Sequence, residues 1–449
     1  MKQTSLPVTI LQTTFVAGFV TATAVIHVPT SYSQNKPQPL HDNPKQVLDE
    51  AWQLVNRHYV DENFNAVDWQ AVRQQLLAQN YTSKTQAYNA LRQALSQLQD
   101  PYTRFMDPEQ FSSLTSQTAG QLSGIGIRLE KDTVTQVLTI VEPLPNSPAL
   151  KAGLKPGDRI LAIDGRPTQP MDVETASAMI RGRVGSSVKL QVGRDNNSSF
   201  DISIQRAMIA LSTVSSQVHQ EGDYRIGYIH LREFTAHATE QTREAIEALK
   251  ADHVDAFVLD LRGNPGGLMG ASIDIAQMWL NQGLIVQTVD RQGNNKAIRA
   301  QPLALTDLPL AILVDNESAS SSEILAGALK DNHRAQVIGS PTFGKALVQG
   351  VHELSDESGL TITIARYYTP NGTDINHKGI VPDVSVALTP EQLENLARNP
   401  RLRGTANDPY YMRALQSLQP HLQSQANPSS AHRPSIGTLL PTPEKASQR

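Results

Sequence analysis

Residues 339–346 read "GSPTFGKA" and match the phosphate-cradling pattern G-x-x-x-x-G-K-[ST] at every fixed position but the last. That loop needs a hydroxyl after its lysine to ligate magnesium and a helix whose N-terminal N–H groups face the anion. Ala346 has no oxygen to offer, and the next residues, "ALVQGVHEL" and "SGLTITIARYY", pattern as strand, turn, strand. The nucleotide reading fails on both counts. Lys345 is flanked instead by Phe343, Gly344, Ala346, Leu347 and Val348, with no acid adjacent. Held among such groups, an ammonium loses hydration and its pKa falls, and the free amine is a general base. Left at the surface of a turn, it is an ordinary solvated lysine.

A base needs a nucleophile. The chain has no cysteine, which removes thiolate chemistry, disulfides and cysteine metal sites. One serine cluster stands out in "DNESASSSEILAGAL", residues 315–329, with Ser318, Ser320, Ser321 and Ser322. Ser320 with Glu323 fits a helix capping box, but capping requires one serine and four are present. A serine between a strand and a helix is expected to be exposed at the sheet edge, with helix N–H groups free to face an oxyanion. A second turn, "DLRGNPGG" at 260–267, could bring another backbone N–H close, or could be a tight turn and nothing more. Twelve histidines keep a Ser–His–Asp triad open by count, yet "HLREFTAH" and "VHELSD" lack a serine motif to pair with. His230, Glu233 and His237 miss H-x-x-E-H metal spacing and suit solvated residues near a strand end.

These loops need strands and helices to hold them. "AFVLDLRG" and "LPLAILVD" read as strands buried on both faces, followed by the helices "MGASIDIAQMWL" and "SEILAGALKDN", with "AQVIG" as a further strand. That order implies parallel pairing in an α/β core. Residues 44–115 read as helices, with Val47, Trp52, Val55 and Tyr59 and then Leu91, Leu95 and Leu98 near helical spacing, ended by Asp100-Pro101. From about 120 to 208, "GIGIRLE", "QVLTIVEPL", "RILAIDG", "SVKLQVGR" and "FDISIQR" are short strands bounded by turn residues, with "DVETASAMIRG" as a helix.

At 449 residues the chain requires several domains, and a net charge of −4 points to neither a nucleic-acid partner nor a polyanionic substrate. Lys2 precedes "VTILQTTFVAGFVTATAVI" at 8–26, and the small-x-small site Ser31-Tyr32-Ser33 follows. This reads as an export signal cleaved near Gln34, the alternative being an uncleaved anchor through which the chain would touch a membrane. Both place the rest outside the cytoplasm. The tail "SQANPSSAHRPSIGTLLPTPEKASQR" is polar and rich in Pro and Ser, the composition of a disordered segment.

Together "DLRGNPGG", "ESASSSEILAGALKDNHRA", "GSPTFGKALVQ" and "TPNGTDINHKGIVPDV" resemble the carboxyl-terminal processing proteases, serine peptidases with a Ser–Lys dyad and an inserted PDZ domain. The likeness runs from about 44 to 390 and takes in "DPYTRFMDPEQF" and "GLKPGDRILAIDG". It implies an α/β multidomain fold: a signal at 1–33, a helical region at 34–119, a β-rich PDZ domain at 120–208, the peptidase core at 209–390, and a C-terminal helix and tail at 391–449. It implies Ser320 as nucleophile, Lys345 as base, Gln349 as the residue orienting the amine, and Glu323 as a supporting acid. The N–H groups of Gly266 and Ser321 match the oxyanion donors. Gly124, Ile125, Gly126 and Ile127, in "SGIGIRL", match a carboxylate-binding loop, with "DVETASAMI" as the other groove wall. Neither metal nor cofactor is implied; the partners are proteins presenting their C-termini, in a periplasm or a thylakoid lumen. Two positions depart from the family pattern, Ser321 where Ala is usual and Ala346 where Gly is usual. If position 346 takes a positive φ, Ala would be strained, and a PDZ-bearing adaptor on an inactive protease fold is the alternative this raises.

Overall fold

The computed structural model describes residues 44–132, 135–194 and 198–426, with Thr9–Ile10 and Ala24–His27 as short strands near the N-terminus. The segment read as an export signal, 1–33, those two strands apart, and the tail beyond 426 fall outside the described residues.

Ala256–Asp260 and Leu310–Val314 are buried at every position, which a strand sustains only when both faces of its sheet are covered. They pair in parallel at the centre of a sheet ordered Val214–Glu221, Tyr224–Leu231, Ala256–Asp260, Leu310–Val314, Gln336–Gly339 and Val384–Ser385. Every neighbouring pair is parallel except the first. Alternate side chains serve opposite cores. Phe257, Leu259, Ile312 and Val314 pack with helices Ala238–Ala251, Met269–Gln277 and Ser321–Asp331. Val258, Ala311 and Leu313 pack with Tyr411, Ala414, Leu418 and Leu422 of helix Pro409–Ala426. The expected α/β core is thus present, and both catalytic-candidate turns leave the same ends of adjacent parallel strands.

Lys345 enters an antiparallel hairpin, Leu347–Glu353 with Gly359–Tyr368. No helix follows it, so the site lacks the anion-binding element of a phosphate loop. Leu284–Asp290 and Arg104–Met106 also pair with Gly359–Tyr368. Helices Pro44–His58, Trp69–Ala78 and Lys84–Ser96 close over that strand, where Leu48, Trp52, Leu91 and Leu95 share a core with Phe105, Leu360 and Ile362. The helical reading of 44–115 holds for these three and for Pro108–Thr118, but Arg104–Met106 is a strand. Three residues are too short to show a period, and Phe105 and Met106 serve different clusters.

The inserted module has its own core around Ile125, Leu138, Ile160, Leu190 and Val192. Its sheet runs Ser198–Gln205, Ser187–Arg194, Arg159–Ile163, Leu138–Pro143, Ile127–Lys131. Helix Val173–Ile180 is the one anticipated between strands. The chain enters and leaves side by side, Gln121–Gly124 pairing antiparallel with Ala207–Ala210.

Candidate active site

Three of the four clustered serines hold the loop together. Ser318 Oγ donates to Leu261 O (2.8 Å), Ser321 Oγ to Gly267 O (3.1 Å) and Ser322 Oγ to Asn264 O (2.9 Å). Each tie joins the loop after one central strand to the turn after the other. Asp315 adds to this, its Oδ1 accepting the N–H of Gly263 (3.0 Å) and of Ser318 (3.0 Å). Ser320 Oγ is buried and makes no hydrogen bond. Its backbone sits at φ 56°, ψ −107°, a conformation that costs a non-glycine residue about 1–3 kcal/mol and that clusters at functional turns. The serine expected at an exposed edge is fully covered, because the 261–267 turn and the lysine loop close on it from two sides.

Glu323 joins that loop to the lysine. Its carboxylate accepts Ser320 N–H (2.7 Å), Lys345 N–H (2.9 Å), Gly344 N–H (2.7 Å) and Thr342 Oγ1–H (2.6 Å). Burial pushes the carboxyl up from its ordinary range, and these four donors oppose the shift. Tyr367 adds a second clasp, its hydroxyl reaching both Ser320 O (3.1 Å) and Lys345 O. Residues 320 and 345 are therefore locked together through their backbones.

The Lys345 side chain is buried. Its Nζ donates to Gln349 Oε1 (2.8 Å) and lies 4.1 Å from the centre of the Tyr102 ring. Loss of hydration carries its pKa well below the ordinary lysine range; Arg104 pushes the same way, and Asp100 and Glu323 oppose. The solvated-turn alternative is excluded by this burial. Ser320 Oγ and Lys345 Nζ do not hydrogen-bond one another. Ala346 has no positive φ; the left-handed position is Gly344, at φ 87°. The strain on which the adaptor alternative rested is absent. Ser321, the other departure, uses its hydroxyl on Gly267 O.

Gly266 N–H donates to Asn264 Oδ1 (2.8 Å) within its own turn, so in this conformation that donor is taken. Ser321 opens its helix, where geometry gives the N–H no intrahelical acceptor. Gly267 has φ 142°, and a Cβ there would fall 2.1 Å from Phe234 O.

In the inserted module, Gly124, Ile125, Gly126 and Ile127 line one groove of about 60 Å³ with Leu122, Leu129 and Ile180. Gly126 is required there: at φ 77°, a Cβ would meet that of Ser147 at 2.4 Å. Arg181 also lines the groove. Sequence reasoning missed it, although it directly follows the helix assigned to the groove wall. His230 pairs with Arg403 (3.4 Å), while Glu233 accepts from Gln117 (3.0 Å) and burial pushes its carboxyl up to about 7. These two candidate metal ligands thus face different partners. Also missed were Asp100, Tyr102, Thr363 and Tyr367, all beside Lys345 or Gln349. By sequence alone Asp100 reads as a helix stop.

Residues 225–386 match the family model described as "Peptidase family S41" and 139–194 match "PDZ domain". Residues 40–79 match "Tricorn protease C1 domain". A carboxyl-terminal-processing protease of Picosynechococcus sp. is 43% identical over 345 residues, 77% of this chain and 83% of that protein. One from Synechocystis sp. is 41% identical over 355 residues, 78% and 83% of the two chains. The chloroplastic carboxyl-terminal-processing peptidase 2 of Arabidopsis thaliana is 39% identical over 346 residues, 74% and 67%. Among solved structures, the photosystem II D1 C-terminal processing protease is 32% identical with a TM-score of 0.53, covering 82% of this chain and 100% of that one.

Proposed function

The chain belongs to peptidase family S41, among the carboxyl-terminal processing proteases, and on that premise we propose that Ser320 and Lys345 carry out its acyl transfer. It is a serine peptidase with a substrate-binding PDZ domain. Neutral Lys345 takes the proton from Ser320 Oγ as the oxygen attacks a peptide carbonyl near the C-terminus of a bound protein. Ser321 N–H and Gly266 N–H hold the oxyanion, a donor of this kind contributing about 3–4 kcal/mol. Lys345 then protonates the leaving amine and the C–N bond breaks; water attacks the ester as the lysine takes its proton, the C–Oγ bond breaks, and Lys345 returns that proton to Ser320 Oγ. Gln349 orients the amine. Glu323 fixes the two backbones and takes no proton.

One observation carries the assignment: of four clustered serines, the one with an unemployed hydroxyl is also the one clasped to a buried lysine. Two features must change for turnover. The cover over Ser320 has to open to a peptide, and Gly266 N–H has to exchange Asn264 Oδ1 for the substrate oxygen.

The PDZ groove receives the substrate's terminal carboxylate on the N–H groups between Gly124 and Ile127, with Arg181 adding a cation and the peptide lying as a strand. Its apolar walls, Leu122, Leu129 and Ile180, select an apolar final side chain. The functional units are taken as 34–119, 120–208, 209–390 and 391–449. We assign the enzyme to an extracytoplasmic space, periplasm or thylakoid lumen, on the apolar segment at 8–26 and on the chloroplastic location of several relatives.

The full chain is incubated with a protein ending in apolar residues, and products are read by mass spectrometry. Cleavage near the C-terminus is expected, and its complete loss in Ser320→Ala with peptide binding kept. Undiminished cleavage by Ser320→Ala removes the assignment.

A further inference from the structure

The hydrogen bonds behind Gln349 run in one direction and end on a carboxylate. Gln349 Nε2 donates to Thr363 Oγ1 (3.2 Å), and Thr363 Oγ1 donates to Asp100 Oδ2 (2.7 Å). Asp100 accepts everywhere else as well, from Thr103 Oγ1 (2.7 Å) and from Tyr102 N–H (2.9 Å). Thr103 Oγ1, its proton committed to Asp100, accepts Thr363 N–H (3.0 Å). A threonine has one hydroxyl proton. With the proton of Thr363 drawn to Asp100, its oxygen can only accept from Gln349. The amide nitrogen therefore faces Thr363, and the amide oxygen faces Lys345 Nζ.

We propose that Asp100 is a positioning residue for the base: acting through Thr363, it sets the Gln349 amide and thereby aims the Lys345 lone pair at Ser320. The proposal rests on the assignment of Lys345 as base. A neutral amine has two N–H bonds and one lone pair. One N–H goes to Gln349 Oε1 and the other to the face of the Tyr102 ring, so the lone pair is kept for the nucleophile. If the amide turned over, its NH₂ would meet the amine with a donor, and the lone pair would be spent on glutamine. The Gln349 side chain is enclosed, and its Nε2 donates to Thr363 Oγ1.

The carboxylate has a second, separable effect. The charged groups facing Lys345 are Asp100, Arg104 and Glu323, with Tyr102 and Tyr367 beside it. Asp100 is faced in turn by Tyr59 and Tyr102, whose phenols are pushed up by burial first and by this carboxylate second. Its negative charge favours the ammonium and opposes the downward shift caused by burial. Removing the charge and removing the relay therefore leave different marks on a pH profile.

The test is kcat/KM against pH for the full chain on a peptide with an apolar C-terminus. In the unaltered enzyme activity rises with pH as Lys345 loses its proton. Asp100→Asn is expected to lower the plateau ~10-fold, a fraction of what a general base supplies, and to move the rising limb to lower pH. Thr363→Val keeps the charge and breaks the relay, so the plateau falls comparably and the limb stays. Thr363→Ser, which keeps the hydroxyl, restores the plateau. Thermal melts and peptide binding serve as the check on folding for each variant. An Asp100→Asn profile with limb and plateau unmoved overturns the proposal. So does a folded Thr363→Val that cleaves like the unaltered enzyme. Lys345→Ala separates the two levels: if it still cleaves, the base assignment itself is wrong, whereas if it is inactive and the relay variants behave normally, only the role of Asp100 fails.

Discussion

A lysine enclosed by protein destabilises the fold whenever the unfolded chain would carry its charge, because the native state holds fewer protons. Lys345 is such a group, its pKa depressed by burial from 10.5. The penalty is largest below the folded pKa, shrinks as pH rises between the folded and unfolded values, and vanishes above the latter. Lys345→Met is therefore expected to melt higher than the unaltered chain at neutral pH, with the gap closing as pH approaches 10.5. Urea melts at several pH values read this directly, and a pH-independent gap would mean the amine is not buried in its neutral form. Ser320 offers a second contrast. At φ 56° glycine is relaxed where alanine is strained, so Ser320→Gly should exceed Ser320→Ala in stability by about 1 kcal/mol, both being inactive.

Among the elements, the lysine loop depends on Gly344. A Cβ there would meet Lys378 N at 2.7 Å and Gly379 N at 2.8 Å, at a φ of 87°. Gly344→Ala is expected to lose roughly 2 kcal/mol or more in a denaturant melt and to impair cleavage by shifting Lys345. The main elements of this region were legible in the sequence. An uninterrupted apolar run gave Leu310–Val314, S-x-x-E gave the start of Ser321–Asp331, and the absent helix signal after Lys345 was decisive against a phosphate loop. What stayed hidden were relations across the chain. Four clustered serines look alike until three of them find acceptors on residues 261–267. Asp100 reads as a helix terminator because its partner Thr363 lies 263 positions away, in a strand whose pattern shows only alternation. Asn264, by contrast, occupies Gly266 N–H only two residues on, a local side-chain-to-backbone bond that Asn-Pro-Gly could have suggested.

For the molecule as a whole, the C-terminal segment is tied to the peptidase core by an ion pair and by packing on its sheet. Arg262, at the head of the 261–267 turn, holds Asp260 (2.5 Å) and Asp408 (2.7 Å) with the same guanidinium nitrogen, all three side chains buried. Burial raises the Asp260 carboxyl and Arg262 overrides it, leaving the pKa below the ordinary 3.8. That stabilisation is present above the ordinary value and is lost as pH falls below it. Asp408→Asn leaves Arg262 one carboxylate instead of two and is expected to cost about 2–3 kcal/mol of stability. The loss of cleavage should be larger than the melt alone explains, since Arg262 O and Asn264 shape the turn bearing Gly266. Equal, small effects on both would show that the segment is packing alone. Polypeptides are synthesised from the amino end, so the proposed nucleophile and base, Ser320 and Lys345, leave the ribosome before Asp408, which braces the turn proposed to hold the oxyanion. On the proposed mechanism, a copy that lacks Asp408 carries a nucleophile and a base but no settled cradle for the intermediate, and it is expected to stay silent until that residue has been made.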